Sequence, residues 1–257
     1  MLWWQALIIG LVQGVTEFLP VSSSGHLAVT YQLLGLVEEP VVLSVILHFF
    51  TLLAVTVYFR KQILGLKFKQ LATLALASIP AALVGLLIKD WISSFFNSLL
   101  LIGLLFSLTG LVNMLGDYIL TVRNLEKPKN LWSWPNWRQA VLIGLAQAIA
   151  ILPSVSRSGM TVISGLLVGG KRQSAFNFSF LLSLPAVGGA FLLEMIDSRT
   201  EMLTQLSPII LLAGVLAFIS GYLSLKLLAI ALNKADLKWF GFYTLALSVV
   251  IVATQLF

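Results

Sequence analysis

The sequence predicts an all-α polytopic membrane protein, with six transmembrane helices and two re-entrant helix-turn-helix segments arranged as an inverted repeat. Three observations predict it. Long apolar runs recur along the chain, two further apolar segments are each followed by a second run too short to span, and those two segments resemble each other. The 257 residues are 59% hydrophobic and only 10% charged, and their mean hydropathy is +0.99. A soluble domain of this size needs far more charge to cover its surface.

Six stretches are long enough to cross ~30 Å of hydrocarbon at ~1.5 Å per residue. They lie near 41–59, 71–88, 97–120, 174–195, 206–228 and 238–256. Their loops sort by charge. Arg60, Lys61, Lys67, Lys69, Arg123, Lys127, Lys129, Arg138, Lys171, Arg172, Lys226, Lys234 and Lys238 fall on one side. Glu38, Glu39, Lys89, Asp90, Asp197, Arg199 and Glu201 fall on the other. The basic side is expected in the cytoplasm and the C-terminus outside. Tryptophans 3, 4, 91, 132, 134, 137 and 239 sit near proposed span ends, as interfacial anchors do. The first thirty residues lack a basic leading region and contain Gln13, Glu17 and His26, so they read as part of the fold rather than a cleaved leader. The net charge of +6 follows from the basic loops; with no basic stripe interleaved with aromatics, nucleic acid is not an expected partner. The absence of cysteine excludes disulfides and thiolate chemistry.

Residues 2–19 and 139–152 break the pattern. Each is followed by proline, a serine-rich turn and a second run, about 26–35 and 159–170, that reaches less than ~20 Å. A helix that dips in, turns and returns fits such a segment. A turn at membrane depth is tolerated only inside protein or facing a wet cavity. The stretch IGLVQGVTEFLPVSSSG (9–25) aligns without a gap on IGLAQAIAILPSVSRSG (143–159). Each copy precedes three spans, an odd number, so the second copy enters the membrane upside down relative to the first. One membrane domain over 1–257 results. Its first repeat covers 1–120, with re-entrant segment 2–35, and its second covers 139–257, with re-entrant segment 139–170.

The polar residues of these two segments are the candidate site. Gln13 and Glu17 are four apart, hence on one helix face. A glutamate facing hydrocarbon costs roughly 2.5–3.5 kcal/mol, so Glu17 is expected to face a cavity, a cation or Arg157. Ser22, Ser23 and Ser24 can cap the next helix, whose opening N–H groups favour an anion. His26 suits nucleophilic or proton-transfer work. His48, in an ordinary span without a polar motif, is expected to bond a neighbouring helix. In the second copy Ser156, Arg157, Ser158 and Thr161 form the matching turn. Of 16 lysines and arginines, Arg157 alone falls inside a membrane segment. Its planar fork fits phosphate oxygens, although a purely structural Glu17–Arg157 pair satisfies the same residues. Gly169-Gly170 followed by Lys171-Arg172 reads as a helix end meeting the interface, without chemistry.

A carboxylate, an imidazole, hydroxyls and a guanidinium in one dry cavity suit phosphoryl transfer. Arg157 would neutralise the phosphate while Ser23 or His26 attacks or relays a proton. Glu17, with Gln13, suits activating the nucleophile or holding a divalent cation.

At these residues the sequence resembles the bacterial undecaprenyl-diphosphate phosphatases linked to bacitracin resistance. QGVTEFLPVSSSGHL matches that family's first motif, and LPSVSRSGMT followed by FSFLLSLPA (178–186) matches the second, with similar spacing over essentially the whole chain. The resemblance implies hydrolysis of undecaprenyl diphosphate, a polyprenyl diphosphate lipid, to the monophosphate, recycling the carrier for cell-wall synthesis. It also implies a multi-pass protein of the inner (plasma) membrane, a site open to the outer face, and dependence on Mg²⁺ or Ca²⁺. By motif position it implicates Gln13, Glu17, Ser23, His26, Ser156, Arg157 and Thr161. Two positions depart from the family pattern. Gln13 stands where glutamate is frequent, and Ser154 stands where a glycine would permit positive φ. Inverted repeats are also transporter architecture, so a transporter or flippase for a polyprenyl phosphate lipid is the competing expectation, and a non-catalytic lipid-binding scaffold a third. The oligomeric state stays open, a homodimer among the options.

Overall fold

The computed structural model describes residues 1–36, 41–88, 91, 95–96, 98–122, 131–231 and 236–256. Its named elements are all helical. In chain order they are α1 (Trp3–Phe18), α2 (Ser23–Leu33), α3 (Val41–Tyr58), α4 (Arg60–Leu64), α5 (Phe68–Leu87) and α6 (Leu99–Val122). The second half supplies α7 (Trp137–Ile149), α8 (Arg157–Leu167), α9 (Arg172–Asp197), α10 (Arg199–Gln205), α11 (Pro208–Ala231) and α12 (Lys238–Leu256). Eight of the loop residues that orient the chain lie outside the described residues: Glu38, Glu39, Lys89, Asp90, Arg123, Lys127, Lys129 and Lys234.

Five helices, α5, α6, α9, α11 and α12, are long and apolar enough to cross a membrane. The sixth expected span is α3, which is apolar but shorter at 18 residues, a rise of ~27 Å. The four remaining principal helices are the short pairs expected from the sequence, with their starts moved. The second runs were expected from 26 and 159 but begin at Ser23 and Arg157. Capping explains the difference. Ser22 Oγ accepts from the Gly25 N–H (3.5 Å) and Ser156 Oγ from the Gly159 N–H (3.1 Å), so each serine turn opens its helix instead of leading up to it.

The two segments match in detail. Both second helices have 11 residues, and the serine pairs Ser22–Ser24 and Ser156–Ser158 stand 3.2 Å and 3.1 Å apart. Gly10 of α1 lies against the Ala213 backbone of α11, while its aligned partner Gly144 of α7 lies in the same way against the Ala77 backbone of α5. A Cβ at either glycine would overlap a carbonyl oxygen. Small residues that let backbones approach are what helix association in lipid requires. Each short first helix therefore packs chiefly on a long helix of the other half of the chain.

Serine hydroxyls join neighbouring helices at depth. Ser224 Oγ donates to the Val15 carbonyl (2.9 Å) and Ser248 Oγ to the Gly103 carbonyl (2.6 Å). The largest apolar cluster gathers Phe18, Phe59, Phe176, Phe178 and Phe180, with the Phe18 and Phe180 rings edge to face at 5.6 Å. This aromatic floor is fully buried and underlies the polar site.

Candidate active site

Glu17, one residue before the end of α1, is the node. Arg157 Nη2 donates to its Oε1 at 2.9 Å, and Ser23 Oγ donates to Oε2 at 2.6 Å. Gln13 Nε2, one turn back on the same face, donates to Oε2 at 3.1 Å. The Glu17 side chain is 7% exposed and that of Arg157 16%, so the pair sits in protein rather than in lipid or bulk water. Arg157 Cζ lies 5.9 Å from the centre of the Phe180 ring, which shields one face of the guanidinium. Its Nη1 is buried and meets no acceptor among the described residues, and Gln13 Oε1 is likewise buried without a partner. A fork with one donor engaged and one free is what an incoming anion needs.

The two serine turns are laced together around this node. The Ser154 N–H donates to Ser24 Oγ (3.3 Å), and Ser158 Oγ donates to the Leu19 carbonyl (3.1 Å). Thr109 of α6 bridges the second turn, accepting from the Ser156 N–H (3.0 Å) and donating to the Ser154 carbonyl (2.7 Å). Asn113, one turn on, donates to the Pro20 carbonyl (2.6 Å). The openings of α2 and α8, where helix dipoles favour an anion, are thus held side by side. Both turns carry a non-glycine residue at positive φ, Ser22 at 67° and Ser154 at 61°.

A comparison of the whole chain with known proteins decides the family. The family described as Bacitracin resistance protein BacA matches residues 6–250. The chain belongs to this family. Among its relatives, a protein of Carboxydothermus hydrogenoformans is 39% identical, covering 98% of this chain and 97% of its own. One of Alkaliphilus metalliredigens is 35% identical over 98% of each chain, and one of Treponema denticola is 36% identical over 95% and 94%. All three carry the name undecaprenyl-diphosphatase.

In this BacA-family chain, then, Gln13, Glu17, Ser23 and Arg157 meet, and Ser22, Ser24, Ser156 and Ser158 build the turns that place them. Thr161 does not join the node. The residue is 1% exposed, and its hydroxyl is engaged with the Arg157 carbonyl (2.8 Å) and with Ser179 of α9 (2.5 Å). His26 lies one turn into α2, and both ring nitrogens are engaged away from Glu17. Nδ1 is 2.6 Å from the Ser22 carbonyl and Nε2 is 2.8 Å from the Tyr243 hydroxyl.

Two residues outside the motifs bond motif residues. His48 of α3 does bond a neighbouring helix, as expected, but its partner is Glu17 itself: Nε2 stands 3.3 Å from Oε2. Its Nδ1 is 2.7 Å from the Ser44 carbonyl, which can only accept, so Nδ1 carries a hydrogen. Tyr243 of α12 is the second. Neither carries a local signal, because each is one polar residue in an ordinary apolar span; only the three-dimensional packing brings them in.

Proposed function

We propose that this chain hydrolyses undecaprenyl diphosphate to undecaprenyl phosphate and inorganic phosphate, recycling the lipid carrier, with Ser23 as nucleophile and Glu17 as its base. The observation that carries this reading is the 2.6 Å hydrogen bond from Ser23 Oγ to a Glu17 carboxylate that Arg157 also binds. A hydroxyl resting on a buried carboxylate, beside a guanidinium with a free donor, is a nucleophile, a base and an anion clamp in contact.

In the first step Ser23 Oγ bonds to the terminal phosphorus while its proton passes to Glu17. The bond from that phosphorus to the bridging oxygen breaks, and undecaprenyl phosphate leaves. In the second, water attacks the phosphoserine, Glu17 returns its proton to Ser23 Oγ, and dihydrogen phosphate departs with both hydrogens of the water. Arg157 Nη1 and the α2 and α8 openings bear on the charge gathering on the phosphoryl oxygens. Among the described residues no group of three or more His, Cys, Asp or Glu side chains forms a metal cage. The donors present fit Mg²⁺ or Ca²⁺ that arrives with the diphosphate: Glu17 and the unpartnered Gln13 Oε1 would hold it, and phosphate oxygens would complete its shell. Such an ion would add Lewis-acid neutralisation of those oxygens.

The same reading takes the two turns as re-entrant and their repeats as inverted, with the site open to the outer face of the plasma membrane. Helix directions support it. α1 runs beside α11 in the same sense, Gly10 at Ala213 and Val15 at Ser224, and α11 runs with α3, Phe50 at Gly214 and Tyr58 at Tyr222. α7 runs instead with α5, Gly144 at Ala77 and Ile151 at Gly85. Since α5 turns back from α3 through α4, the two short pairs come in from opposite sides.

Phosphate release from undecaprenyl diphosphate by the detergent-solubilised protein, with Mg²⁺ or Ca²⁺ present, tests the reading, because transport needs two compartments and hydrolysis does not. Arg157→Ala is expected to lower kcat about 10²–10³-fold. Ser23→Ala should abolish both turnover and a trappable phosphoprotein. Wild-type protein that is folded yet releases no phosphate would sink the hydrolase, and turnover retained in Ser23→Ala would move the attack to water or His26.

A further inference from the structure

Both ring nitrogens of His26 are held, and one of the holders lies 217 residues away. The Ser22 carbonyl 2.6 Å from Nδ1 can only accept, so Nδ1 carries the hydrogen. In the neutral ring Nε2 is then a bare acceptor, and the Tyr243 hydroxyl at 2.8 Å is its donor. The Tyr243 ring also lies nearly parallel to the imidazole, at 10° with centroids 5.7 Å apart, while Phe106 of α6 meets it edge to face at 90° and 5.2 Å. A broad interface does not account for this bond. α2 packs chiefly on α1 and α6, so α12 reaches it through little else.

We propose that Tyr243 is a positioning residue for the reaction: its hydroxyl holds the His26 imidazole in one orientation, with Nε2 as the accepting face. The inference rests on His26 belonging to the hydrolase site. A ring held in this way cannot grip a phosphate oxygen through Nε2, which has no hydrogen to donate. The one Nε2 lone pair is taken by the Tyr243 hydroxyl, so the ring acts on water through that hydroxyl, whose oxygen accepts from a water while its hydrogen stays on Nε2. An oriented water is the demand of the second step, when water must attack the phosphoserine. Tyr243 is itself half exposed while His26 is half buried, so the pair stands at the border of the site. The last helix of the chain thereby completes a site whose motifs lie in the first and second repeats.

The chain has only two histidines, so ¹⁵N-histidine labelling gives two sets of ring signals, assigned by His26→Gln. In Tyr243→Phe, which keeps the stacked ring and removes the hydroxyl, the His26 Nε2 signal should move downfield as its hydrogen bond is lost, with the His48 signals in place. In the same variant kcat should fall roughly tenfold. KM should stay within about twofold, since an interaction confined to the chemical step leaves ground-state binding alone. Tyr243→Leu, which also removes the stack, should lose more. Wild-type kcat in Tyr243→Phe would overturn the proposal, and so would a fall in kcat with an unmoved Nε2 signal. If wild-type protein released no phosphate, the hydrolase reading would fail while the Nε2 shift still reported the bond. If only His26→Gln kept full turnover, the hydrolase would stand and this role for Tyr243 would fall.

Discussion

At Ser154 the chain keeps a hydroxymethyl group where its backbone, at φ 61°, favours none. A side chain in the left-handed region costs roughly 1–2 kcal/mol, and the Ser154 hydroxyl, fully buried, has no hydrogen-bond partner among the described residues to offset it. The useful contacts of this residue are all backbone: its N–H on Ser24 and its carbonyl under Thr109. Ser154→Gly keeps them. We predict a stabilisation of about 0.5–1 kcal/mol, less than the strain itself because glycine also loosens the unfolded chain, and a melting temperature in detergent higher by about 1–4 °C. Ser22 is the contrast. Its φ of 67° is as strained, but its hydroxyl caps α2, so Ser22→Gly should gain less or nothing. Equal gains at both positions would show that strain, not capping, governs the two turns. At this scale the sequence was most informative where chemistry is rare: a carboxylate and a guanidinium have few places to go inside a membrane except to each other. Glu17 and Arg157 do meet, with Ser23 and Gln13 beside them. His48 and Tyr243 were invisible by the same logic, since a lone histidine or tyrosine in an apolar run is compatible with any neighbour.

At the scale of the elements, the short helices were legible as too short to span, and the serine turns as caps, but not the residue at which each helix begins. The capping hydroxyl accepts from a backbone N–H three residues on, and composition does not reveal which of the serines in each turn takes that place; Ser22 and Ser156 do. What each short helix packs against was also hidden. Apolar periodicity says that a face is covered, not by what, and α1 and α7 are covered by α11 and α5, each from the opposite half of the chain. The contacts at Gly10 and Gly144 are backbone to backbone and cannot yield as a flexible side chain would. Gly144→Leu and Gly10→Leu should therefore each destabilise by about 1–3 kcal/mol or more, read as a lowered thermal midpoint in detergent. Gly189→Ala within α9 is the control. A Cβ there meets nothing within 4 Å, so the change should be neutral or raise stability by up to about 1 kcal/mol through helix propensity. Gly144→Leu melting at the wild-type temperature would mean that the close α7–α5 contact is not what holds the second turn in place.

The whole molecule poses the question of direction. Two pairs of short helices, similar in sequence and in capping, lean on different long helices, and the node on Glu17 joins their turns: Ser23 comes with the first, Arg157 with the second. In the reading proposed above the two turns meet from opposite sides. If both pairs dipped from one face, α1 and α7 would have to run in the same sense, and the neighbours of Gly10 and Gly144 argue otherwise. The chain lacks cysteine altogether, so single cysteines can report sidedness without a prior cysteine-free background. Leu33 ends α2 and is 80% exposed, and Arg138 lies in the first turn of α7 and is exposed as well. With the first pair entering from outside, Leu33→Cys should react with a membrane-impermeant maleimide in intact cells, and Arg138→Cys should react only after the membrane is opened. The charge sorting of the loops points the same way, but it rests on residues at the edges of the spans, whereas the labelling reads the two turns themselves. Both cysteines reacting from one face would leave Ser23 and Arg157 without opposed entries. The site would then have to be rebuilt as one cavity lined from a single side, with α7 reversed against α5.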